Sequence, residues 1–229
     1  MKIPYCRSFL YSIMAASAIA LNAESLSLIT GENKELTDSD WNWSDASKWS
    51  PSVSDVAGND LTIDAVTTTP ITSTISDGFT AGDLNVILNQ NAPAASSGGS
   101  GHFTLNIDGN AAFDSFTWKT TSAGWWGSYL KIKTGSTLTI RNDLTVGNSA
   151  SNAYFINFAS NGDSNYIGNL LVEGGVNINV TNGANSHAFW TELNSFTVKG
   201  AVSMITQNAG DAGRWRISNT ATTIGGLSG

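Results

Sequence analysis

The chain predicts an all-β fold built as a single-stranded parallel β-helix, a solenoid closed at its amino end by a tryptophan-rich cap. Three observations carry this. An apolar–polar–apolar phrase recurs as Leu61-Thr62-Ile63, Leu84-Asn85-Val86, Leu105-Asn106-Ile107, Leu138-Thr139-Ile140, Leu170-Leu171-Val172, Phe196-Thr197-Val198 and Thr222-Thr223-Ile224. Its first members are 23, 21, 33, 32, 26 and 26 residues apart, the spacing at which one repeat makes one coil of a solenoid. Gly, Asn, Ser and Thr are abundant, and no long stretch after the first two dozen residues has the 3.6-residue period of a helix.

Residues 1–23 read as a signal peptide and would form its short helix. Lys2 and Arg7 make a positive start, an uncharged apolar run from Phe9 to Leu21 follows, and Ala16, Ala18, Ala20 and Ala23 supply small-residue cleavage points. The run is short for a bilayer span, although an uncleaved anchor is the rival reading. The expected address is therefore outside the cytoplasm, secreted or at a bacterial cell surface. The only cysteine, Cys6, lies in this segment, so disulfides and thiolate chemistry are not expected of the exported part.

The formal net charge is −7, and losing Lys2 and Arg7 makes the chain more acidic still. Phosphate neutralisation by basic side chains supplies most nucleic-acid affinity, so this composition argues against a nucleic-acid partner.

Residues 24–60 read as the cap. Trp41, Trp43 and Trp49 stand there with few other apolar residues. An open solenoid end exposes core and unpaired strand edges, and large indole rings can plug it. Residues 61–229 read as the β-helix, with its carboxy-terminal coil incomplete.

Within the coils, alternation buries the first and third residue of each phrase. Gly109, Asn142, Gly174, Gly200 and Gly226 follow two positions later and read as a repeated sharp bend, glycine and asparagine being the residues that enter positive φ most readily. Second strands follow, with Ala111 and Phe113, Leu144 and Val146, Val176 and Ile178, and Val202 and Met204 inward; Leu227 arrives one residue early in the last repeat. A third sheet is expected from Phe116 with Trp118, Phe155 with Ile156, Phe189 with Trp190, and Trp215 with Ile217. Asp108, Arg141, Glu173 and Lys199 are expected to form an outward column of alternating sign, which favours correct register.

The amino-terminal segment resembles the start of bacterial secreted proteins with autotransporter-associated β-strand repeats. The matching residues are Trp43-Ser44-Asp45-Ala46-Ser47-Lys48-Trp49, then Pro51, then Gly58-Asn59-Asp60. The ending Ile224-Gly225-Gly226-Leu227-Ser228-Gly229 is similar to a phrase of those repeats. The resemblance implies a right-handed β-helix of passenger or adhesin type, with no catalytic residues to carry over. It also implies a structural or adhesive role at a cell surface.

No phosphate loop, nucleophile elbow or metalloprotease helix is present, and no cofactor, catalytic residue or metal site is expected. His102 and His187 read as solvated loop residues. Asn161-Gly162-Asp163-Ser164-Asn165 and Asp38-Ser39-Asp40 resemble fragments of calcium loops but read more simply as turns. Asp108 and Asp114 would serve a glycosidase only if one cleft held both. Trp125-Trp126, between Gly124 and Gly127, are the candidate carbohydrate-contact residues, against the simpler reading that one ring is buried. Extracellular or cell-surface polysaccharide is the expected partner class, with a polysaccharide-binding or polysaccharide-degrading β-helix as the alternative function. Self-association through the open last coil is the other expectation.

Overall fold

The computed structural model describes residues 23–89, 103–120, 128–148, 156–160, 162–180, 187–206 and 214–228. They form a parallel β-helix. Its strands are β1 (Ser25–Leu28), β2 (Trp49–Ser50), β3 (Asp60–Val66), β4 (Ile71–Ile75), β5 (Phe79–Thr80), β6 (Leu84–Asn89), β7 (Phe103–Ile107), β8 (Ala111–Phe113) and β9 (Phe116–Thr120). They continue as β10 (Tyr129–Ile140), β11 (Leu144–Asn148), β12 (Ile156–Ala159), β13 (Ile167–Val172), β14 (Val176–Val180), β15 (His187–Glu192), β16 (Ser195–Thr206), β17 (Arg214–Ile217) and β18 (Ala221–Ser228).

These strands stack on three sides. Side one runs through β1, β3, β6, β9, β11, β14, the second half of β16 and the end of β18. Side two runs through β4, β7, the start of β10, β12, β15 and β17. Side three runs through β5, β8, the end of β10, β13, the start of β16 and the start of β18. Every one of these pairings is parallel, and only β1 with β2 is antiparallel. The backbone groups of each coil are thus satisfied by the coils above and below.

In the first six phrases the alternation does bury the first and third residues: Leu61, Ile63, Leu84, Val86, Leu105, Ile107, Leu138, Ile140, Leu170, Val172, Phe196 and Val198 all lie in the core, whereas in the last Thr222 is exposed and Ile224 half-buried. The phrases do not form one column, however. Leu61 and Leu84 pair on side one, Leu105 pairs with Leu130 on side two, and Leu138, Leu170, Phe196 and Thr222 stack on side three. All three sides share the same period of two, so the pattern marks inward positions without marking the side. Phe116 and Trp118 likewise belong to side one, in register with Leu144 and Val146, whereas Phe189 and Trp215 are on side two. Phe155 lies outside the described residues.

The glycine bend has a different cause from the one expected. The positive-φ glycines are Gly58, Gly78, Gly135 and Gly162, none of them in the repeated column. Gly174 is required by close approach: a Cβ there would sit 2.4 Å from the Asn142 carbonyl oxygen, and one on Gly200 would sit 2.6 Å from the Gly174 carbonyl oxygen. Gly225 rather than Gly226 continues this corner, since its Cβ would meet the Lys199 carbonyl oxygen at 2.2 Å. The shortened last corner is a register shift, with Val198 opposite Ile224 but Ala201 opposite Gly226.

The cap seals one end. Trp41, Trp43 and Trp49 are buried in the same core as the coils, and the Trp49 indole N–H donates to the Trp43 carbonyl oxygen at 3.1 Å. From Trp41 a line of rings runs down the interior: Trp41 to Phe103 at 6.1 Å, Phe103 to Trp118 at 5.8 Å, Trp118 to Phe158 at 6.1 Å, Phe158 to Phe189 at 5.0 Å and Phe189 to Trp215 at 6.1 Å. These separations lie in the range where aromatic pairs add to the stabilisation from burial. The cap and the coils share one continuous core.

Candidate functional surface

A solenoid of this kind presents long lateral faces, and its chemistry is decided by what the outward residues do. At the corner between sides three and one stands a ladder of alternating charge. Arg141 donates to Asp114 at 2.7 Å and Lys199 to Glu173 at 2.7 Å. Hydrogen bonding and charge from Lys199 hold the Glu173 carboxyl below its usual range, with a smaller contribution from Arg141. Arg141, Glu173 and Lys199 are therefore column neighbours as expected, but Asp108 is not the fourth member. Asp108 follows Ile107 on side two and pairs with Lys133 at 3.1 Å. Asp114, which follows Phe113 on side three, takes its place. The two aspartates stand on different sides with different cations, so no cleft holds them as a pair.

Carboxylates and amides also fasten coil to coil. Asp77 Oδ1 accepts from the Asn110 backbone N–H at 2.7 Å, Asn110 Oδ1 from Thr137 N–H at 3.0 Å, and Asp143 Oδ1 from Gly175 N–H at 2.7 Å. Asp163 accepts from Asn165 N–H and opens a short 3-10 turn, Ser164–Tyr166, while Asp38 pairs with Lys48. Both calcium-like fragments are used as turn and ion-pair groups, although Asn161 lies outside the described residues. Among the described residues no group of three or more His, Cys, Asp or Glu is placed to hold a metal ion.

His187 is the first residue of strand β15 rather than part of a loop. His102, Trp125 and Trp126 lie outside the described residues.

The described surface is concave in places. A hollow of about 620 Å³ lies beside the cap, lined in part by Glu24, Asp55 and Asn59. Asp55 is engaged by Ala57 N–H and Asn59 by Glu24 N–H, so these groups serve local structure. Another, about 220 Å³, is a shallow trough on side three between Thr80, Asn110 and Thr139.

Tyr129, Asn157, Trp190 and Arg216 follow one another in register at the outward-pointing positions of side two, where Tyr129 and Asn157 are buried, Trp190 is half-buried and Arg216 is exposed. The Arg216 guanidinium lies 4.4 Å from the centre of the Trp190 ring. The Lys131 ammonium lies 5.7 Å from the centre of the Tyr166 ring. Both are cation–π distances. Burial raises the Tyr129 phenol above its ordinary pKa; burial first, then the charges of Asp108 and Asp163, raise Tyr166. Sequence reasoning missed Lys131, Tyr166 and Arg216, because their partners come from other coils. The adjacent dipeptides Phe189-Trp190 and Trp215-Arg216 were the available signal: each places one residue inward and one outward.

No family model matches the chain, and no curated protein and no solved structure matches it. Among the described residues no helix is long and apolar enough to cross a membrane.

Proposed function

We propose that the chain is an exported, non-enzymatic β-helix of autotransporter-passenger type with a structural or adhesive role at a bacterial cell surface, and with extracellular polysaccharide as its partner class. The observation that carries this reading is the use made of its polar side chains. Charges pair along the Asp114–Arg141–Glu173–Lys199 ladder, and Asx side chains clamp neighbouring coils. One outward column of side one consists of Thr, Asn and Ser alone: Thr62, Asn85, Thr117, Thr145, Asn177 and Ser203. Such a column suits contact over a long surface better than chemistry at one point.

The test is to express the chain with its own leader and treat intact cells with protease. Loss of the protein from intact cells, together with a mature amino terminus near residue 24, supports the reading. A protein protected inside the cell with residues 1–23 attached overturns it. Turnover of polysaccharide by the purified chain above background would favour the degrading alternative.

Self-association has its own support. Leu227 is 78% exposed and Ile217 47%, yet both occupy inward positions, opposite Val202 and Thr191. Apolar side chains at inward positions are covered in every earlier coil. A second copy docking there would bury them and pair the strand edge beneath.

A further inference from the structure

We infer that the fold contains a seat for the mature amino terminus: the ammonium group that removal of residues 1–23 creates on Glu24 is held by the Asn59 side chain and fastens the cap. The inference rests on the export proposed above and says what processing does to the fold. The step is hydrolysis of the Ala23–Glu24 peptide bond by an export peptidase. The bond between the Ala23 carbonyl carbon and the Glu24 nitrogen breaks, and water adds its oxygen to that carbon. Ala23 departs with the leader as a carboxylate, and the Glu24 nitrogen takes up protons to become an ammonium group.

The position of that nitrogen is already fixed. The Glu24 N–H donates to Asn59 Oδ1 at 2.9 Å, and the Glu24 carbonyl oxygen accepts from the Asp60 N–H at 2.9 Å. Asn59 is itself anchored. Its Nδ2 donates to the Asp55 carbonyl oxygen at 2.9 Å, and its own carbonyl oxygen accepts from the Gly82 N–H at 2.8 Å. Strand β1 starts at the next residue, in register with β3, and Leu26 is fully buried. The fold thus begins within one residue of the expected cleavage point, whereas Ala23 and Glu24 are exposed, so the leader can depart without disturbing the core.

Charge points the same way. The hollow of about 620 Å³ beside this nitrogen is lined by two carboxylates, Glu24 and Asp55, by the hydroxyls of Ser52 and Ser54, and by no lysine or arginine. Before cleavage the Glu24 nitrogen offers one N–H and no charge. As an ammonium it keeps the bond to Asn59, now charge-assisted and therefore stronger, and supplies two further donors on the side of the hollow. The missing cation of this corner is the one that processing makes. Strand β1, and with it the top of the solenoid, is then tied down only after the leader has gone.

The experiment compares two forms of residues 24–229, which hold every strand and the whole core described above. One begins with Glu24, freed from a tag by a protease that adds no residue. The other carries Gly-Ser-Gly-Ser before Glu24, so the same nitrogen is an uncharged amide. At pH 6.5 the first should melt about 2 °C higher, the shift expected of one partly exposed charge interaction in a chain of this length. A cation that gains partners on folding contributes stability below the ordinary amine pKa of about 7.7–8.0 and loses it as pH rises. The gap should therefore narrow above about pH 8. The titratable groups around the nitrogen, Glu24, Asp55 and Asp60, are all carboxylates, so a change in that range reports the amine. Asn59→Ala and Asp55→Asn should each shrink the gap, in which their own effects on stability cancel. Asp55→Asn keeps an oxygen for the Ala57 N–H and decides the matter if Asn59→Ala does not fold. Equal melting of the two forms, a gap constant with pH, or a gap unchanged in the folded variants overturns the inference. Neither form has to be exported, so the result is independent of the protease test on intact cells.

Discussion

The indole N–H of Trp43 donates to the hydroxyl of Ser73 at 2.7 Å, with both residues buried. This bond ties the cap to strand β4 of the first complete coil. A buried donor left without an acceptor costs its desolvation, about 1–3 kcal/mol. Ser73→Ala should therefore lower stability by that amount in urea unfolding. Trp43→Ala should cost more, about 3–5 kcal/mol, because the ring also packs on Trp41, Trp49 and Phe79. Equal stability of Ser73→Ala and the parent would show that the bond does not anchor the cap.

The corner glycines make a steric prediction. Gly174→Ala forces a Cβ to within 2.4 Å of a backbone oxygen of the neighbouring coil, so the coils must part locally. Overpacking of this kind costs about 1–3 kcal/mol. Gly226→Ala meets only the Ala201 Cβ at 3.9 Å and should be near neutral. Melting temperatures of the two variants, measured side by side, check the contrast.

The charge ladder makes a prediction about pH. The Glu173 carboxyl is held below its ordinary value of 4.5 by Lys199. The unfolded chain therefore takes up this proton first on acidification. The stability contributed by Glu173 is present above about pH 4.5 and is lost as pH falls through the lower folded value. Glu173→Gln should melt slightly below the parent at pH 6, by an amount typical of an exposed pair, and the gap should narrow as the solution is acidified below about pH 4.5. A gap that widens on acidification would contradict the assignment.

Reversing the middle of the ladder is the sharper version. Arg141→Glu puts a like charge between Asp114 and Glu173, and like charges directly opposite are destabilising. The loss should exceed that of Arg141→Ala and shrink in high salt. Chemical denaturation at low and high ionic strength, with urea as denaturant, measures both.

Exposed Leu227 and Ile217 make a prediction about assembly. Sedimentation velocity should show association that grows with concentration, and Leu227→Asp with Ile217→Asp should abolish it. A parent that remains monomeric across the concentration range would remove the second-copy reading.

The inward positions of this protein were legible because alternation is a local property: Leu138 and Ile140 can be assigned to the core without knowing what they stack on. The side on which each strand lies was not legible, because connections of unequal length remove any constant offset between coils. That is why Leu105 aligned with Leu138 in sequence but pairs with Leu130 in space. The same reason misplaced Asp108 and left Asp114 out of the ladder, since the true neighbour of Arg141 follows Phe113, which reads as a second strand after the bend and not as the partner of Ile140 that it is. The side-two face was the least legible. Lys131 meets Tyr166 and Trp190 meets Arg216 across separations that no motif spans.

The corner between sides three and one has a consequence for how such a molecule changes over time. Gly174 must clear the backbone oxygen of Asn142, and Glu173 takes Lys199 as its partner, so each coil sets a condition on the coils that flank it. A repeat copied or lost as a whole unit keeps the solenoid only where the corners it brings together still agree in size and in sign.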